Sequence, residues 1–303
     1  MQSNPITGVI IMTYGSATTS ENVEAYFTRI YGENASPELI ADFANRYDAV
    51  GGSPLIAITK EQARLTEAAL GAGFAVRAGM RHSEPFIVDA VRELRALGAS
   101  KLIGIILSPQ FSPFIMEGYK NALMDAANEN GYAPQSVTII GPWASEPWFT
   151  MLLAARTKEK LALLRERYAS VPVIFTTHSL PKRVVEKDSA YLAQIGETAD
   201  AVIAAIGDPS MEWYRGYQSA GHTPEEWLTP DLTDILGMLK EKGAETVLIV
   251  PLQFLADHLE ILYDLDVAAR AQCEEYGIAY DRIELPNTDP RFIQALVNLA
   301  HRA

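Results

Sequence analysis

Side chains able to do acid–base or metal chemistry follow several short apolar segments of the chain. His82 follows one such segment, His178 follows another, and the run DHLE at 257–260 follows a third, with Asp264 shortly after it. Imidazole and carboxylate together can bind a divalent cation or pass protons near neutral pH. If the third segment is an α-helix, Glu260 and Asp264 lie at i and i+4 and share one face.

The same residues also fit a purely structural interpretation. Ser83 and Pro85 are typical of a helix start, so His82 would only lead into that helix. Glu260 and Asp264 would form a solvated helix face. Type and spacing alone leave both interpretations open.

Aromatic side chains are frequent near the same segment ends, where they would suit a flat apolar ligand. For each of them taken singly, a place in the core is the more common role. The residues concerned are Tyr14, Phe111, Phe114, Tyr119, Trp143, Trp227 and Phe254.

The apolar segments themselves predict buried parallel strands, because most of them are continuous runs of Val, Ile and Leu without polar alternation. Helical patterns at 85–97, 117–130, 231–242 and 268–276 lie between them, which indicates an α/β fold. In such folds ligands bind outside the carboxyl ends of the strands. The predicted strands are 8–12, 74–79, 102–107, 137–140, 172–175, 213–216, 247–252 and 278–283.

The order of these segments predicts two doubly wound lobes. Four strands precede residue 145 and four follow residue 170, with a long helical segment at 147–167 between them. We expect an N-terminal α/β lobe over 1–145 and a C-terminal α/β lobe over 146–303. The amphipathic segment 290–303 predicts a last helix that could pack on either lobe.

Composition excludes several classes of protein. The formal net charge of −13 disfavours nucleic acid as a partner. A single cysteine, Cys273, allows neither an internal disulfide nor an iron–sulfur cluster, and its helical surroundings offer no cation to activate it. The chain has no phosphate-binding loop, dinucleotide fingerprint or nucleophile elbow, so nucleotide and serine-hydrolase chemistry are not indicated.

Location is inferred from what the sequence lacks. Residues 1–5 show no basic or apolar leader, and no apolar run is long enough to span a bilayer. We therefore expect a cytoplasmic protein with at most peripheral membrane contact. His222 is expected in a turn and His301 at an exposed terminus.

At these same positions the sequence resembles the ferrochelatase family, enzymes that insert ferrous iron into a porphyrin. The resemblance covers nearly the whole chain and is carried by several motifs in order. They are VIIMTYG at 9–15, RYDAVGGSPL at 46–55, RHSEPFI at 81–87, THSLP at 177–181, YQS at 217–219, TPEEWL at 223–228 and FLADHLEILYD at 254–264. The resemblance implies two similar lobes, each with a four-stranded parallel sheet flanked by helices.

The resemblance also implies roles for particular residues. His178 would be the family's histidine at the metal, Glu260 its carboxylate partner, and Tyr14 a residue on the opposite face of the macrocycle. His82 completes the set of catalytic candidates. A porphyrin loses two pyrrole protons as the metal enters, and neutral imidazole can accept one of them or ligate the metal.

Binding of the substrate's propionates requires cations or hydrogen-bond donors. The family positions that contact the propionates are matched here by Arg46, Ser53 and Tyr119. Nearby candidates for the same role are Arg29 and Arg81, and Trp227 is an aromatic candidate for substrate binding.

Two positions depart from the family pattern. Tyr31 replaces an arginine, which weakens one propionate contact, and Ala268 replaces an acid of an outer metal site.

Tyr14 resembles the coproporphyrin-using branch of the family. The expected reaction is insertion of Fe²⁺ into coproporphyrin III to give coproheme and two protons, in heme biosynthesis. Iron is then a substrate and no cofactor is permanently bound. We expect a monomer that hands product to a downstream heme-handling enzyme. The alternatives are a protoporphyrin IX ferrochelatase, a cobalt or nickel chelatase acting on sirohydrochlorin, and a non-catalytic tetrapyrrole carrier.

Overall fold

The computed structural model describes residues 5–221 and 224–303, in which the chain forms eight parallel strands. His222 and Thr223, like residues 1–4, lie outside the described residues, so the expectations placed on them have no structural counterpart. The strands are β1 (Ile6–Thr13), β2 (Phe74–Met80), β3 (Ala99–Ile106), β4 (Val137–Ile140), β5 (Val173–His178), β6 (Trp213–Gln218), β7 (Thr246–Pro251) and β8 (Ala279–Arg282).

The helices alternate with the strands, as the sequence pattern indicates. They are α1 (Val23–Tyr31), α2 (Pro37–Val50), α3 (Leu55–Leu70), α4 (Ile87–Ala96), α5 (Pro113–Glu129), α6 (Pro147–Arg165), α7 (Lys182–Lys187), α8 (Ala190–Ile206), α9 (Leu232–Glu241), a π-helix (Glu260–Ala269), α10 (Arg270–Tyr276) and α11 (Pro290–His301). Short 3₁₀ turns lie at Ser20–Asn22, Gly32–Asn34 and Pro134–Ser136.

The strands form two four-stranded sheets with the same topology. Their orders are β2-β1-β3-β4 and β6-β5-β7-β8, and the paired strands are parallel in both. The predicted fold class of two doubly wound lobes is confirmed. In this topology the connections reverse direction beside the first strand of each sheet, which places the ligand-binding crevice at the ends of β1 and β3 and of β5 and β7.

Each sheet has its own apolar core. In the first, Ile10, Met12 and Leu102 pack with residues of α4 and α5. In the second, Ile174, Val247 and Ile249 pack with residues of α9, the π-helix and α10. Strands covered on both faces carry side chains that are apolar at successive positions, which explains the continuous runs seen in the sequence.

The chain divides into two compact units whose limits differ from the predicted boundary. The first unit extends to Trp143 and also contains Ala256–Leu259 and Asn287–Ala303, while the second contains Ala144–Leu255 and Glu260–Pro286. Helix α11 belongs to the first unit because it packs on α3 and β3. The sequence does not reveal that 256–259 and 287–303 belong to the first unit, because their assignment depends on contacts between distant parts of the chain.

No helix within 5–221 and 224–303 combines the length and apolar character needed to cross a membrane.

Cys273 is fully buried in the core of the second unit, and burial raises the pKa of its thiol to about 11. A thiol in that state is a poor nucleophile at neutral pH.

Candidate active site

In the second unit, His178 is the last residue of β5, and side chains hold its backbone where the neighbouring strand has ended. The β5–β7 pairing stops at Thr176 and Pro251. The His178 N–H therefore donates to the side chain of Gln253, at 3.0 Å from Oε1. The buried Tyr191 hydroxyl lies 2.8 Å from the same Oε1 and 2.7 Å from the His178 carbonyl oxygen. Both backbone groups of the histidine are thus fixed.

The imidazole of His178 is oriented by a partner at each nitrogen. Nδ1 lies 2.5 Å from the carbonyl oxygen of Ser179, so Nδ1 carries hydrogen and donates. Nε2 points to Glu260, at 3.5 Å from Oε1. The histidine side chain is 30% exposed and the glutamate 41%, so both groups remain reachable from outside the protein.

Burial and charge act in opposite directions on His178. Burial lowers the pKa of the imidazole, but the Glu260 carboxylate, the hydrogen bond to Ser179 and the Asp264 charge together raise it to about 9. At neutral pH His178 is therefore protonated and forms an ion pair with the Glu260 carboxylate. Such a pair can donate or accept a proton, or lose its proton and bind a cation instead.

Glu260 begins a π-helix, Glu260–Ala269, rather than the α-helix considered for this segment. Its hydrogen bonds run from i to i+5, so the turn is wider than in an α-helix. Residues four apart still share a face, because four residues make slightly less than one such turn. Both Glu260 and Asp264 accordingly act on His178. Asp264 accepts a hydrogen bond from Ser219 Oγ at 2.5 Å, which fixes the second carboxylate.

In the first unit, Tyr14 and His82 form a second constellation at the ends of β1 and β2. Their rings lie 4.5 Å apart between centroids with a 48° interplanar angle, and the His82 N–H donates to the Tyr14 carbonyl at 3.0 Å. The Tyr14 side chain is 41% exposed. Burial, and then the positive charge of Arg81, lower the pKa of His82 to about 4. His82 is therefore neutral throughout the physiological range.

A glycine makes this constellation possible. Gly15 has φ +96°, and a Cβ there would lie 2.4 Å from Ser83 Oγ. That hydroxyl instead accepts a hydrogen bond from the Ser16 N–H at 3.2 Å. The turns after β1 and β2 consequently pack against each other, which brings Tyr14 and His82 together.

Arg81, the residue before His82, packs against helix α5. A Cβ on Gly118 of α5 would lie 2.1 Å from the Arg81 Cζ, so the guanidinium packs directly on the helix backbone. No carboxylate pairs with Arg81 in the part of the chain that the structure describes. Tyr119, the next residue of α5, is only 5% exposed, and burial raises the pKa of its hydroxyl strongly. Tyr119 thus lies in the core beside Arg81.

The other candidate binding residues are dispersed. Arg46 is paired with Asp42 at 2.8 Å, and its guanidinium lies 4.9 Å from the centre of the Phe43 ring. Arg29 is exposed, with its guanidinium 5.5 Å from the centre of the Phe86 ring.

Ser53 and Trp227 contact the backbone of other segments. The Ser53 N–H donates to the Thr18 carbonyl at 3.0 Å, while its buried Oγ has no hydrogen-bond partner within 5–221 and 224–303. Trp227 is half-buried and forms a β-bridge with Pro181.

The structure therefore unites His178 with Glu260 in one unit, and Tyr14 with His82, Arg81 and Tyr119 in the other. Sequence reasoning missed Gln253 and Tyr191, which hold His178. Gln253 could have been suspected because it directly follows the predicted strand 247–252. Tyr191 lies in a helix 13 residues beyond the histidine, and nothing local in the sequence marks it.

A comparison with protein families finds that the ferrochelatase family matches residues 6–303. The chain belongs to the ferrochelatase family. The resemblance seen in the motifs is thus confirmed, as is the expectation of an enzyme of this family.

Curated relatives of this ferrochelatase agree with the family match. "Coproporphyrin III ferrochelatase" of Anoxybacillus flavithermus is 39% identical over 98% of this chain and 96% of the relative. The protein of the same name from Bacillus subtilis is 35% identical over 96% of both.

Solved structures with the same fold are far more distant in sequence. SirB from Bacillus subtilis with Fe³⁺ matches with a TM-score of 0.61 and 10% identity, over 98% of this chain and 95% of that one. CbiX, described as the terminal enzyme of siroheme biosynthesis in denitrifying bacteria, matches with a TM-score of 0.55 and 12% identity, over 98% and 99%. At this identity the likeness concerns the fold.

Proposed function

We propose that this ferrochelatase inserts Fe²⁺ into coproporphyrin III, giving coproheme and two protons. The observation that carries the proposal is the His178–Glu260 ion pair at the crevice of the second sheet, in a chain 35–39% identical to proteins named for that substrate. The reaction balances because the dication replaces two pyrrole protons, so the net charge of the porphyrin centre does not change.

His178 and Glu260 handle those protons in this proposal. The pair holds one proton at neutral pH, and an approaching dication favours its release by repulsion. Nε2 and the carboxylate oxygens then become free to contact the metal or to accept pyrrole protons. Asp264, fixed by Ser219, provides a further acceptor on the same face of the π-helix.

Tyr14 and His82 are proposed to contact the porphyrin or the metal. The low pKa of His82 keeps its imidazole neutral, so a nitrogen lone pair is available at any physiological pH. Arg81 is the strongest propionate contact among the candidates, because its guanidinium is fixed and lacks a carboxylate partner among the residues described. The burial of Tyr119 favours a role in supporting Arg81 rather than in touching substrate.

The remaining binding residues of the proposal are Arg29, Arg46, Ser53 and Trp227. We further propose a cytoplasmic monomer that passes coproheme to a heme-handling enzyme, with Phe114, which is 58% exposed, as one point of contact. Sedimentation velocity of the purified chain tests the monomer, and a dimer at micromolar concentration would contradict it.

The test of the reaction is anaerobic metal insertion followed by absorbance. We expect Fe²⁺ to be inserted into coproporphyrin III faster than into protoporphyrin IX, and Co²⁺ insertion into sirohydrochlorin to be absent. Preference for protoporphyrin IX, or turnover of sirohydrochlorin, would overturn the substrate assignment. Tight porphyrin binding without turnover of any substrate would indicate a carrier instead.

A further inference from the structure

The segment that carries Glu260 is anchored by residues outside the site described so far. Asp257 and Asn287 face each other in a reciprocal pair of hydrogen bonds. The Asp257 N–H donates to Asn287 Oδ1 at 2.8 Å, and Asn287 Nδ2 donates to Asp257 Oδ2 at 2.7 Å. The buried Gln62 of α3 adds a third bond, from Nε2 to the Asn287 carbonyl at 2.7 Å.

This clamp of Gln62, Asp257 and Asn287 lies entirely within the first unit. Residues 256–259 belong to that unit, although the residues on either side of them belong to the second. The chain leaves the first unit at Leu259, and its next residue is Glu260, the first of the π-helix. The clamp therefore fixes the point from which the π-helix starts.

Asn287 is suited to this position by its backbone as well as its side chain. It has φ +45°, a left-handed conformation that asparagine tolerates better than most residues. Its amide supplies both an acceptor and a donor, which is what the N–H and the carboxylate of Asp257 require. A serine or alanine at 287 would lack one or both of these contacts.

We propose that Asn287 is a positioning residue for Glu260, acting through Asp257. The inference rests on the function proposed above. Loss of the clamp frees the start of the π-helix, so the Glu260 carboxylate no longer stays within 3.5 Å of His178 Nε2. Chemistry slows, while the residues proposed to hold the porphyrin propionates are untouched.

The test exploits the symmetry of the clamp. Asn287→Asp keeps the size and the left-handed backbone but places two carboxylates against each other. The double variant Asp257→Asn with Asn287→Asp restores the side-chain hydrogen bond with donor and acceptor exchanged, while the backbone N–H of residue 257 still donates to the side chain at 287. Asn298→Asp is the matched control, since Asn298 is a half-buried asparagine of the same unit on α11.

We expect Asn287→Asp to lower kcat for iron insertion about ten- to a hundredfold, with the KM for coproporphyrin III unchanged, because misplacement of one reacting group acts on the chemical step. The double variant should return to within about threefold of the wild type, and the control should not change. Wild-type kcat in Asn287→Asp would overturn the proposal. An equally slow double variant with the stability of the wild type would do the same.

A second measurement separates this inference from the proposed reaction. Amide hydrogen exchange of 260–264 needs no substrate, and we expect Asn287→Asp to speed it about tenfold through loss of the local hydrogen bonds. Exchange in the double variant should match the wild type. Unchanged exchange in Asn287→Asp would refute the clamp even if iron insertion proceeds as proposed, whereas a wild type that inserts no iron would refute the function alone.

Discussion

Replacement of Glu260 by glutamine tests the proton chemistry of the site directly. The substitution keeps the shape of the side chain and removes its charge. Opposite unit charges 3.5 Å apart attract by about 5 kcal/mol at an effective dielectric constant of about 20. Burial of the imidazole offsets part of that attraction, so the pKa of His178 is raised only to about 9.

Burial is the largest single influence on the pKa of His178, and the Glu260 charge is the largest influence that opposes it. Without that charge, only the weaker influences of the hydrogen bonds and of the Asp264 charge remain to oppose burial. We expect the pKa of the imidazole to fall from about 9 by at least about one unit, which corresponds to about 1.4 kcal/mol between the two protonation states. Because Glu260 is 41% exposed, solvent screens its charge, and the full attraction of about 5 kcal/mol is not expected to show in the pKa.

The assay is ¹⁵N NMR of the imidazole between pH 5 and 10, with the His178 signal assigned from its absence in His178→Gln. Asp264→Asn should move the midpoint in the same direction but by less, since its charge is the weakest of the raising influences. Glu159→Gln, an exposed change on α6, should leave it unmoved. A midpoint that stays near 9 in Glu260→Gln would refute the ion pair as the source of the raised pKa.

The raised pKa of His178 also affects how stability and activity depend on pH. A histidine whose pKa is raised on folding stabilises the protein below its unfolded value near 6.5, and this stabilisation is lost as the pH rises through about 9. Glu260→Gln should therefore flatten the decline of stability between those values. If the reaction requires neutral His178, kcat/KM of the wild type should increase as the pH approaches 9. In Glu260→Gln the same increase should occur at lower pH.

Three further predictions concern residues around the two constellations. His82 should titrate near pH 4 by NMR, and Arg81→Gln should raise that midpoint only part of the way to 6.5, because burial is the larger cause; a full return would contradict this order of causes. Tyr191→Phe removes a hydrogen bond to the His178 backbone. It should lower the free energy of unfolding in urea by about 1–2 kcal/mol and lower kcat, with the KM for porphyrin unchanged. A change in KM alone would argue against a positioning role. Cys273 should resist a thiol reagent at pH 8 in the folded protein and react on unfolding, and rapid labelling of native protein would contradict its burial.

The strands and their ends could be predicted because burial on both faces leaves a direct mark on composition. The run at 102–107 is one example, and β3 covers Ala99–Ile106. The polar residues that follow such runs lie at the crevice for a topological reason, so His82 and His178 were found without knowledge of the third dimension. Chemistry at the strand ends is therefore the part of the site most accessible from sequence.

Other features depend on contacts that sequence order hides. The π-helix has the same apolar periodicity over a short span as an α-helix, and only its hydrogen bonds distinguish them. In the sequence, Tyr119 cannot be told from an aromatic residue that contacts a ligand. In the structure it is buried in the apolar core of the first unit. The assignment of 256–259 and 287–303 to the first unit depends on contacts between distant parts of the chain, such as the packing of α11 on α3 and the hydrogen bonds between Asp257 and Asn287, which are 30 residues apart.

Participation of His178 in iron insertion can be measured by anaerobic stopped-flow absorbance of coproporphyrin III with Fe²⁺, comparing the wild type with a folded His178→Ala. We expect the wild type to convert the free porphyrin spectrum to that of coproheme. The variant should lose nearly all conversion while it still binds the porphyrin. Equal turnover by the two proteins would show that His178 has no part in the reaction.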